Sequence, residues 1–234
     1  MEASYCLIDE KKWARAEHFR HFWDEAPCSI SMCDEINVTQ LRRVCKELHR
    51  SFSIVVLYAV TYVVNSHEEF RMLTVDSPDA QFMMPAIWDE VHPSHNIFHS
   101  DTETYTSLFT KWDEDFEIFA ERCEEDMKRA ERLRVMAIPG LANTFEASCV
   151  PWRHFTSVGV HGDLYSLAPI IAWGGFRENG DDVYMPLSIQ IHHAAADGYH
   201  LARFISETET VCADLARSLS VIEKNSINLV KKQT

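Results

Sequence analysis

The sequence is poor in residues that interrupt a chain, with only seven glycines and eight prolines among 234 residues. It has no Gly/Ser-rich linker, low-complexity stretch or internal repeat, so we expect one folded domain. The longest apolar run, residues 54–64, is too short to cross a bilayer, which takes about 20 residues. The first residues lack the basic start and apolar segment of a signal peptide. We therefore expect neither secretion nor a membrane span.

Basic residues are scarce as well: 22 Lys and Arg stand against 36 Asp and Glu, for a net charge of −14. Nucleic-acid binding requires clustered basic residues, so we exclude that class of partner. The seven cysteines contain no C-x-x-C pair, which argues against a disulfide framework and a zinc site. We expect reduced thiols in a cytoplasmic protein without a metal. The 46% apolar content excludes a disordered chain.

Helical spacing first appears after a short predicted strand at residues 35–38. Apolar residues then recur at Leu41, Val44, Cys45 and Leu48, behind Thr39 as the expected N-cap. The apolar run 54–64 fits either a buried strand or a buried helix, and its eleven residues without period-2 alternation favour the helix.

A second amphipathic helix is predicted from Trp112 to Leu133, where eight acidic residues crowd between Asp113 and Asp126. We interpret those acids as a solvated helix face, not as a metal site. Short apolar pieces at residues 88–93 and 96–99 are bounded by proline and polar residues, which is typical of strands.

The most regular strand pattern begins at Val183. One face carries Met185, Leu187, Ile189, Ile191 and His193, and the other carries Ser188, Gln190 and His192. After Asp197-Gly198 the apolar residues Leu201, Phe204, Ile205 and Cys212 follow helical spacing. The pair His192-His193 therefore lies at a strand-to-helix junction.

His193 opens the motif H-x-x-x-D-G, which ends at Asp197 and Gly198. A lone histidine at the end of an apolar row is most often a satisfied core residue. Here, however, three alanines allow a tight turn and leave room for a ligand, and a carboxylate returns four positions later. A neutral imidazole in such a place suits a general base.

The segment P-L-S-I-Q-I-H-H-A-A-A-D-G-Y-H-L-A-R-F, residues 186–204, resembles the signature of the chloramphenicol O-acetyltransferases, trimeric members of the CoA-dependent acyltransferases with a catalytic histidine. Further ordered blocks resemble the same family: residues 13–19 (W-A-R-A-E-H-F), 88–93 (W-D-E-V-H-P), 102–105 (T-E-T-Y), 148–152 (S-C-V-P-W) and 168–170 (A-P-I). The similarity extends from Trp13 to about Phe204.

The resemblance implies an α/β fold, a two-layer sandwich in which helices cover a large mixed sheet. Larger relatives place the site between two such halves, so the resemblance also implies a homotrimer with sites between copies. We expect a single acetyltransferase domain over residues 1–221 and assign no role to the extension 222–234.

The resemblance also implies residue roles. His193 would be the general base that activates a hydroxyl for direct attack on acetyl-CoA in a ternary complex, and Ser148 would donate to the oxyanion. Asp197 would form a buried ion pair with Arg15 that fixes the turn, and would not touch the base. Acceptor-pocket positions fall at Phe22, Cys28, Tyr105, Val158 and Val160.

Departures from the family concern the substrates. Val158 and Val160 replace bulkier residues in a shortened loop, which predicts a wider pocket. Ala172 replaces a threonine of the family. Gly175-Phe176 replaces the Lys-Tyr pair at the CoA channel, and we expect Phe176 to contact CoA there. Ser53 lies in a segment that approaches CoA in the family and differs in sequence here. We expect a local basic patch, with Arg50 as one candidate member. The predicted activity is acetylation of the 3-hydroxyl of chloramphenicol, which gives resistance. The alternatives are another hydroxyl acceptor, or a non-catalytic member that binds small molecules.

Overall fold

The computed structural model describes residues 4–9, 11–76, 84–161 and 166–231, with side chains of the last helix described up to Val221. The strands are β1 (Tyr5–Leu7), β2 (Ser29–Asn37), β3 (Met72–Val75), β4 (Met84–Trp88), β5 (His92–His99), β6 (Thr104–Phe109), β7 (Thr144–Val150), β8 (Ile170–Gly174), β9 (Arg177–Asn179) and β10 (Asp182–His192). The helices are α1 (Ala16–Arg20), α2 (Thr39–Glu47), α3 (Phe52–Ser66), α4 (Phe116–Leu133) and α5 (Gly198–Lys231). A π-helical turn, His21–Glu25, continues α1, and a 3-10 turn spans Glu68–Phe70.

The strands form two sheets. A small antiparallel sheet has the order β1-β4-β3, and the large sheet has the order β2-β10-β8-β7-β5-β6, with β9 added beside β10. The β5–β7 and β7–β8 pairs are parallel and the other pairs are antiparallel, so the large sheet is mixed. This confirms the predicted α/β class with a large mixed sheet and helices.

Side-chain alternation along β10 sets the two faces of the large sheet. Met185, Leu187, Ile189 and Ile191 are at most 1% exposed, and β10 packs against α2 and α5 on that side. The opposite face carries Ser188 and Gln190, and the loop 151–161 crosses it. We call this second surface the loop face of the sheet.

The apolar run 54–64 is the helix α3, as the favoured interpretation predicted. Ten of its fifteen residues are buried, because α3 lies against α2, α4, α5 and β5. A helix that is covered on most sides needs no polar face. This is the reason why the run has no amphipathic period in the sequence.

Several predicted boundaries were wrong. The pieces 88–93 and 96–99 are not two separate strands, because β4 ends at Trp88 and β5 is continuous from His92 to His99. The predicted strand 35–38 is the end of the longer strand β2, and Val38 lies outside it. Thr39 is not the N-cap of α2 but its first residue, because its Oγ1 accepts a hydrogen bond from Val183 N at 2.8 Å instead of capping the helix. Trp112 lies buried before α4, which begins at Phe116 after an Asp115 cap.

The helix predicted after Gly198 is α5, which continues without interruption to Lys231. The buried residues of α5 include Leu201, Phe204, Ile205 and Cys212, as the spacing predicted. Among the described helices, none is both long and apolar enough to cross a membrane.

Candidate active site

His193 lies in the tight turn that joins β10 to α5. The strand ends at His192, and the next residues turn because Ala194, Ala195 and Ala196 are fully buried with side chains too small to clash. The His193 backbone N–H donates to the carbonyl oxygen of Cys28 at 2.8 Å. The turn is thereby tied to the segment that precedes β2, and the ring stays half-buried.

The imidazole of His193 is held on one edge and on one face. Its Nδ1 lies 3.1 Å from the carbonyl oxygen of Ala196, an atom that can only accept, so Nδ1 carries the proton. The ring of Phe22 stacks on the imidazole with centroids 3.8 Å apart and planes 4° apart. The other ring nitrogen, Nε2, therefore keeps its lone pair and can accept a proton.

Phe22 reaches the imidazole because the chain forms a π-helical turn there. His21–Glu25 widens the helical path after α1, and such turns frequently occur at functional sites. The predicted acceptor-pocket position Phe22 thus lies directly against the predicted base.

The two adjacent histidines differ in their surroundings. His192 is 2% exposed, its Nδ1 accepts a hydrogen bond from Ala194 N at 3.1 Å, and its ring meets Trp23 edge-on at 5.2 Å. The side chain of His193, in contrast, is only half-buried. Only the second histidine of the pair has the exposure that a proton acceptor for a bound substrate needs.

Asp197 binds two cation-capable side chains. Arg15 Nη1 lies 2.6 Å from Asp197 Oδ2, and His200 Nδ1 lies 2.8 Å from Asp197 Oδ1. Burial favours the neutral acid, but the hydrogen bond from Arg15 and the charges of His200 and Arg15 outweigh it, so the pKa of Asp197 lies below its ordinary value.

The predicted Arg15–Asp197 pair is present in the structure, but the expectation that it is buried was wrong. The Arg15 and Asp197 side chains are 21% and 35% exposed, because the pair lies where the turn meets the surface. Sequence reasoning assigned no role to His200, although its position three residues after Asp197 at the start of a helix places both on one side.

Ser148 lies far from His193 in the same chain. Ser148 is half-buried on β7. It pairs with Ala172 on β8, which in turn pairs with Ser188 on β10, so the three residues lie in one row across the sheet. Ser148 is therefore two strand spacings, roughly 10 Å, from Ser188, and His193 lies five residues, roughly 16 Å, further along the chain from Ser188. The two predicted catalytic residues are therefore on the order of 19 Å apart.

Tyr105 groups with Ser148 and not with His193. It pairs with Phe98 across β5 and β6, and the Phe98 ring meets Trp152, just after β7, at 4.6 Å. Four strand steps, on the order of 19 Å, separate β6 from β10. The predicted site residues of one chain thus fall into two separate groups. We call them the imidazole half, which is His193, Phe22 and Cys28, and the hydroxyl half, which is Ser148 and Tyr105.

An open cleft of about 680 Å³ lies beside the imidazole half. Cys28 and His192 line it, and Val160 lines it from the loop 151–161. Val160 is 53% exposed. Val158, two residues earlier, is also exposed and lies outside the lining of this cleft.

Phe176 lies beyond the end of β8, next to the end of β7 that follows Ser148. Its ring is 39% exposed, meets Phe52 edge-on at 5.0 Å and lies 4.7 Å below the guanidinium carbon of Arg42. Arg42 also binds Glu178 at 2.9 Å. An exposed ring with a cation beside it has the chemistry to contact an aromatic base or a phosphate.

The expectation that Arg50 contributes to a basic patch was wrong. Arg50 Nη1 lies 2.8 Å from Glu117 Oε2, because the acidic face of α4 approaches the start of α3 and neutralises the guanidinium. In the described part of the chain, no group of three His, Cys, Asp or Glu side chains could hold a metal ion.

Comparison with known proteins gives consistent results. A family model described as "Chloramphenicol acetyltransferase" matches residues 3–209. A chloramphenicol acetyltransferase of Vibrio anguillarum is 37% identical over 214 residues, which are 89% of this chain and 94% of that protein. One of Campylobacter coli is 34% identical over 210 residues, which are 88% and 97% of the two chains.

Two solved structures share the fold. A chloramphenicol acetyltransferase superposes with a TM-score of 0.76 at 24% identity, covering 89% of this chain and 100% of that one. A dihydrolipoamide acetyltransferase of Azotobacter vinelandii superposes with a TM-score of 0.61 at 16% identity, covering 87% and 88%. These likenesses confirm the predicted acyltransferase fold, while the predicted trimer stays a prediction.

Proposed function

The chain belongs to the chloramphenicol acetyltransferase family, and from that premise we propose that it transfers the acetyl group of acetyl-CoA to the 3-hydroxyl of chloramphenicol and so confers resistance. The observation that carries the mechanism is the His193 ring, which has Nδ1 against the Ala196 carbonyl and Nε2 left basic. We assign the activity to a single domain over residues 1–221 and expect it in the cytoplasm, where thiols stay reduced.

In the proposed reaction both substrates are bound together. His193 Nε2 takes the proton of the acceptor hydroxyl as its oxygen attacks the thioester carbonyl carbon. Ser148 donates a hydrogen bond to the resulting oxyanion. The C–S bond then breaks, the acetyl ester is released, and the proton on His193 passes to the leaving thiolate of CoA.

The separation of Ser148 from His193 supports a site assembled between copies. A bond from Ser148 to an oxyanion requires contact of about 3 Å, whereas the two residues are on the order of 19 Å apart within one chain. We propose that the imidazole half of one copy faces the hydroxyl half of its neighbour. Three copies related by cyclic symmetry would close into a homotrimer with three equivalent sites.

Acetyl-CoA would extend along the copy that supplies Ser148. Phe176 lies at the same end of the sheet as Val150, which pairs with Gly174. Its exposed ring offers a stacking surface beside the guanidinium of Arg42, whose charge is shared with Glu178.

A thiol-release assay with acetyl-CoA and chloramphenicol tests the proposal. Wild-type protein should release free CoA only when chloramphenicol is present, and His193→Ala should lower kcat by about 10²- to 10⁴-fold. The matched control is His49→Asn, an exposed histidine at φ 53°, where asparagine is well tolerated. A folded wild-type protein that releases no CoA with chloramphenicol contradicts the proposal.

The same chemistry on another hydroxyl acceptor is the second candidate. It is favoured by Val160, which lines the cleft and is 53% exposed, because a small side chain leaves the acceptor side wide. Screening alcohols in the same assay separates the two candidates. Binding without any turnover would instead identify a non-catalytic family member.

A further inference from the structure

The side chain of Gln190 pairs with the backbone of Val160 as a neighbouring strand would. The Val160 N–H donates to Gln190 Oε1 at 3.1 Å, and Gln190 Nε2 donates to the Val160 carbonyl oxygen at 2.6 Å. Both backbone groups of one residue are thus satisfied by one carboxamide. We call this pair of hydrogen bonds the Gln190 clamp.

The strand position of Gln190 explains the direction of its side chain. Its neighbours Ile189 and Ile191 are buried on the helix side, so Gln190 projects onto the loop face, between Ile170 on β8 and Ser31 on β2. A long polar side chain on a central strand can span the gap to a loop that crosses above the sheet.

Residues 158–161 belong to no helix or strand, so no backbone ladder holds them to the sheet. The loop is attached at its other end, where Gly175 N donates to the Arg153 carbonyl at 2.9 Å and His154 Nε2 lies 2.8 Å from Glu35. The Gln190 clamp is the corresponding attachment at the Val160 end. Without it, Val160 would lose two defined hydrogen bonds to the rigid sheet.

The clamp matters because of what Val160 lines. Val160, Cys28 and Gln190 all border the open cleft beside the imidazole half, and the Cys28 carbonyl oxygen also accepts a hydrogen bond from the His193 backbone. We propose that Gln190 is a positioning residue that sets the affinity for the hydroxyl acceptor by fixing Val160 at the wall of this cleft. This inference rests on the proposed acetyl transfer and assigns Gln190 no contact with reacting atoms.

Only a primary carboxamide of this length supplies both bonds. Leucine offers neither a donor nor an acceptor. Ionised glutamate can still accept from Val160 N–H, but it places a second acceptor against the Val160 carbonyl oxygen. Protonated glutamic acid restores a donor there, so a Gln190→Glu variant should regain the clamp as its carboxyl group becomes protonated.

The test compares Gln190→Leu and Gln190→Glu with wild type, with Gln40→Leu, an exposed helical glutamine, as the matched control. We expect Gln190→Leu to raise KM for the acceptor about tenfold, the effect of one to two ordinary hydrogen bonds. KM for acetyl-CoA should stay within about twofold of wild type. In Gln190→Glu the acceptor KM, relative to wild type at the same pH, should fall back as the pH is lowered from 7.5 to about 5, the approach to the ordinary carboxyl pKa.

Hydrogen exchange provides a readout that needs no activity. The Val160 amide should exchange faster in Gln190→Leu than in wild type, and Gln40→Leu should leave it unchanged. An active wild type whose Gln190→Leu variant keeps its acceptor KM, or raises both KM values equally, overturns this inference alone. A wild type that transfers no acetyl group overturns the proposed function instead. In that case the Gln190 clamp is still tested by hydrogen exchange, and it is overturned if the Val160 amide exchanges at the same rate in Gln190→Leu as in wild type.

Discussion

One carboxylate at the start of α5 joins the two segments that contact the imidazole of His193. Asp197 lies just after the histidine turn, and its partner Arg15 lies just before α1, which leads into the turn that carries Phe22. The ion pair thus connects the segment that carries Phe22 to the segment that carries His193. Loss of either partner should disturb the site as well as the fold.

We expect Arg15→Ala and Asp197→Ala each to lower the free energy of unfolding by about 2 kcal/mol or less, since both side chains are partly exposed. The double variant should lose less than the sum, because the second substitution removes a charge that the first left unpaired. Urea denaturation at pH 7 measures all four proteins. If the double variant lost as much free energy of unfolding as the two single variants together, the interaction between Arg15 and Asp197 would contribute nothing to stability.

The sign of the pH dependence follows from the lowered pKa of Asp197. The contribution of Asp197 to stability is complete above its ordinary pKa of 3.8. It is lost only as the pH falls through the lower pKa that this carboxyl has in the folded chain. The difference in the free energy of unfolding between wild type and Arg15→Ala should therefore be constant from pH 7 to about 5.

Elements with a clear period could be predicted from the sequence, and elements whose boundaries depend on distant contacts could not. The alternation before His193 and the helical spacing after Gly198 correspond to β10 and α5. The cap of α2, in contrast, depends on Val183, which is 144 residues away from Thr39 along the chain. The loop 151–161 has no periodic pattern in its sequence, and isolated hydrogen bonds with Gly175 and Gln190 hold it in place.

The crossing of this loop over β8 explains the absence of a side chain at Gly174. A Cβ there would lie 2.8 Å from each of the Arg153 carbonyl oxygen, the Phe155 ring and Pro186 Cγ. Such distances are well inside van der Waals contact, and backbone that is pinned on two sides cannot move away cheaply.

We expect Gly174→Ala to lower the free energy of unfolding by about 1–3 kcal/mol. The matched control is Gly198→Ala, where a Cβ would meet no atom within 4 Å. That substitution should be neutral or stabilise by up to about 1 kcal/mol. Thermal or denaturant unfolding compares the two, and equal losses would contradict the close crossing at Gly174.

At the scale of the whole molecule, two neutral histidines in the core make the fold sensitive to acid. Burial lowers the pKa of His92 to about 4, with the charges of Lys111 and Arg122 as further causes, and burial lowers the pKa of His95 to about 4. The unfolded chain binds protons at both histidines near pH 6.5, whereas the folded chain does not.

The unfolded state therefore holds more protons between pH 6.5 and 4, and stability falls as the pH drops through that window. We expect a slope near pH 5 of about 1 kcal/mol per pH unit from each histidine. His95→Gln should remove one of the two contributions. Denaturation curves at pH 7, 6, 5 and 4.5 measure the slope, and a variant with the wild-type slope would contradict the assignment to His95.

The site as a whole shows how much can be predicted from the sequence of one chain. The motifs around His193, Asp197 and Ser148 identify the chemistry by resemblance, but spacing along the sequence cannot say which residues meet. That depends on strand order: two strand spacings across the sheet and five residues along the chain separate Ser148 from His193. The proposal that one copy cannot complete the site alone therefore rests on the sheet topology.

Mixing two inactive variants tests this most directly. His193→Ala and Ser148→Ala chains, coexpressed or refolded together in equal amounts, form mixed assemblies. If each site takes His193 from one copy and Ser148 from its neighbour, about a quarter of the sites are intact, and CoA release should return to about a quarter of the wild-type rate. Activity that stays at the sum of the two separate variants would contradict a site shared between copies.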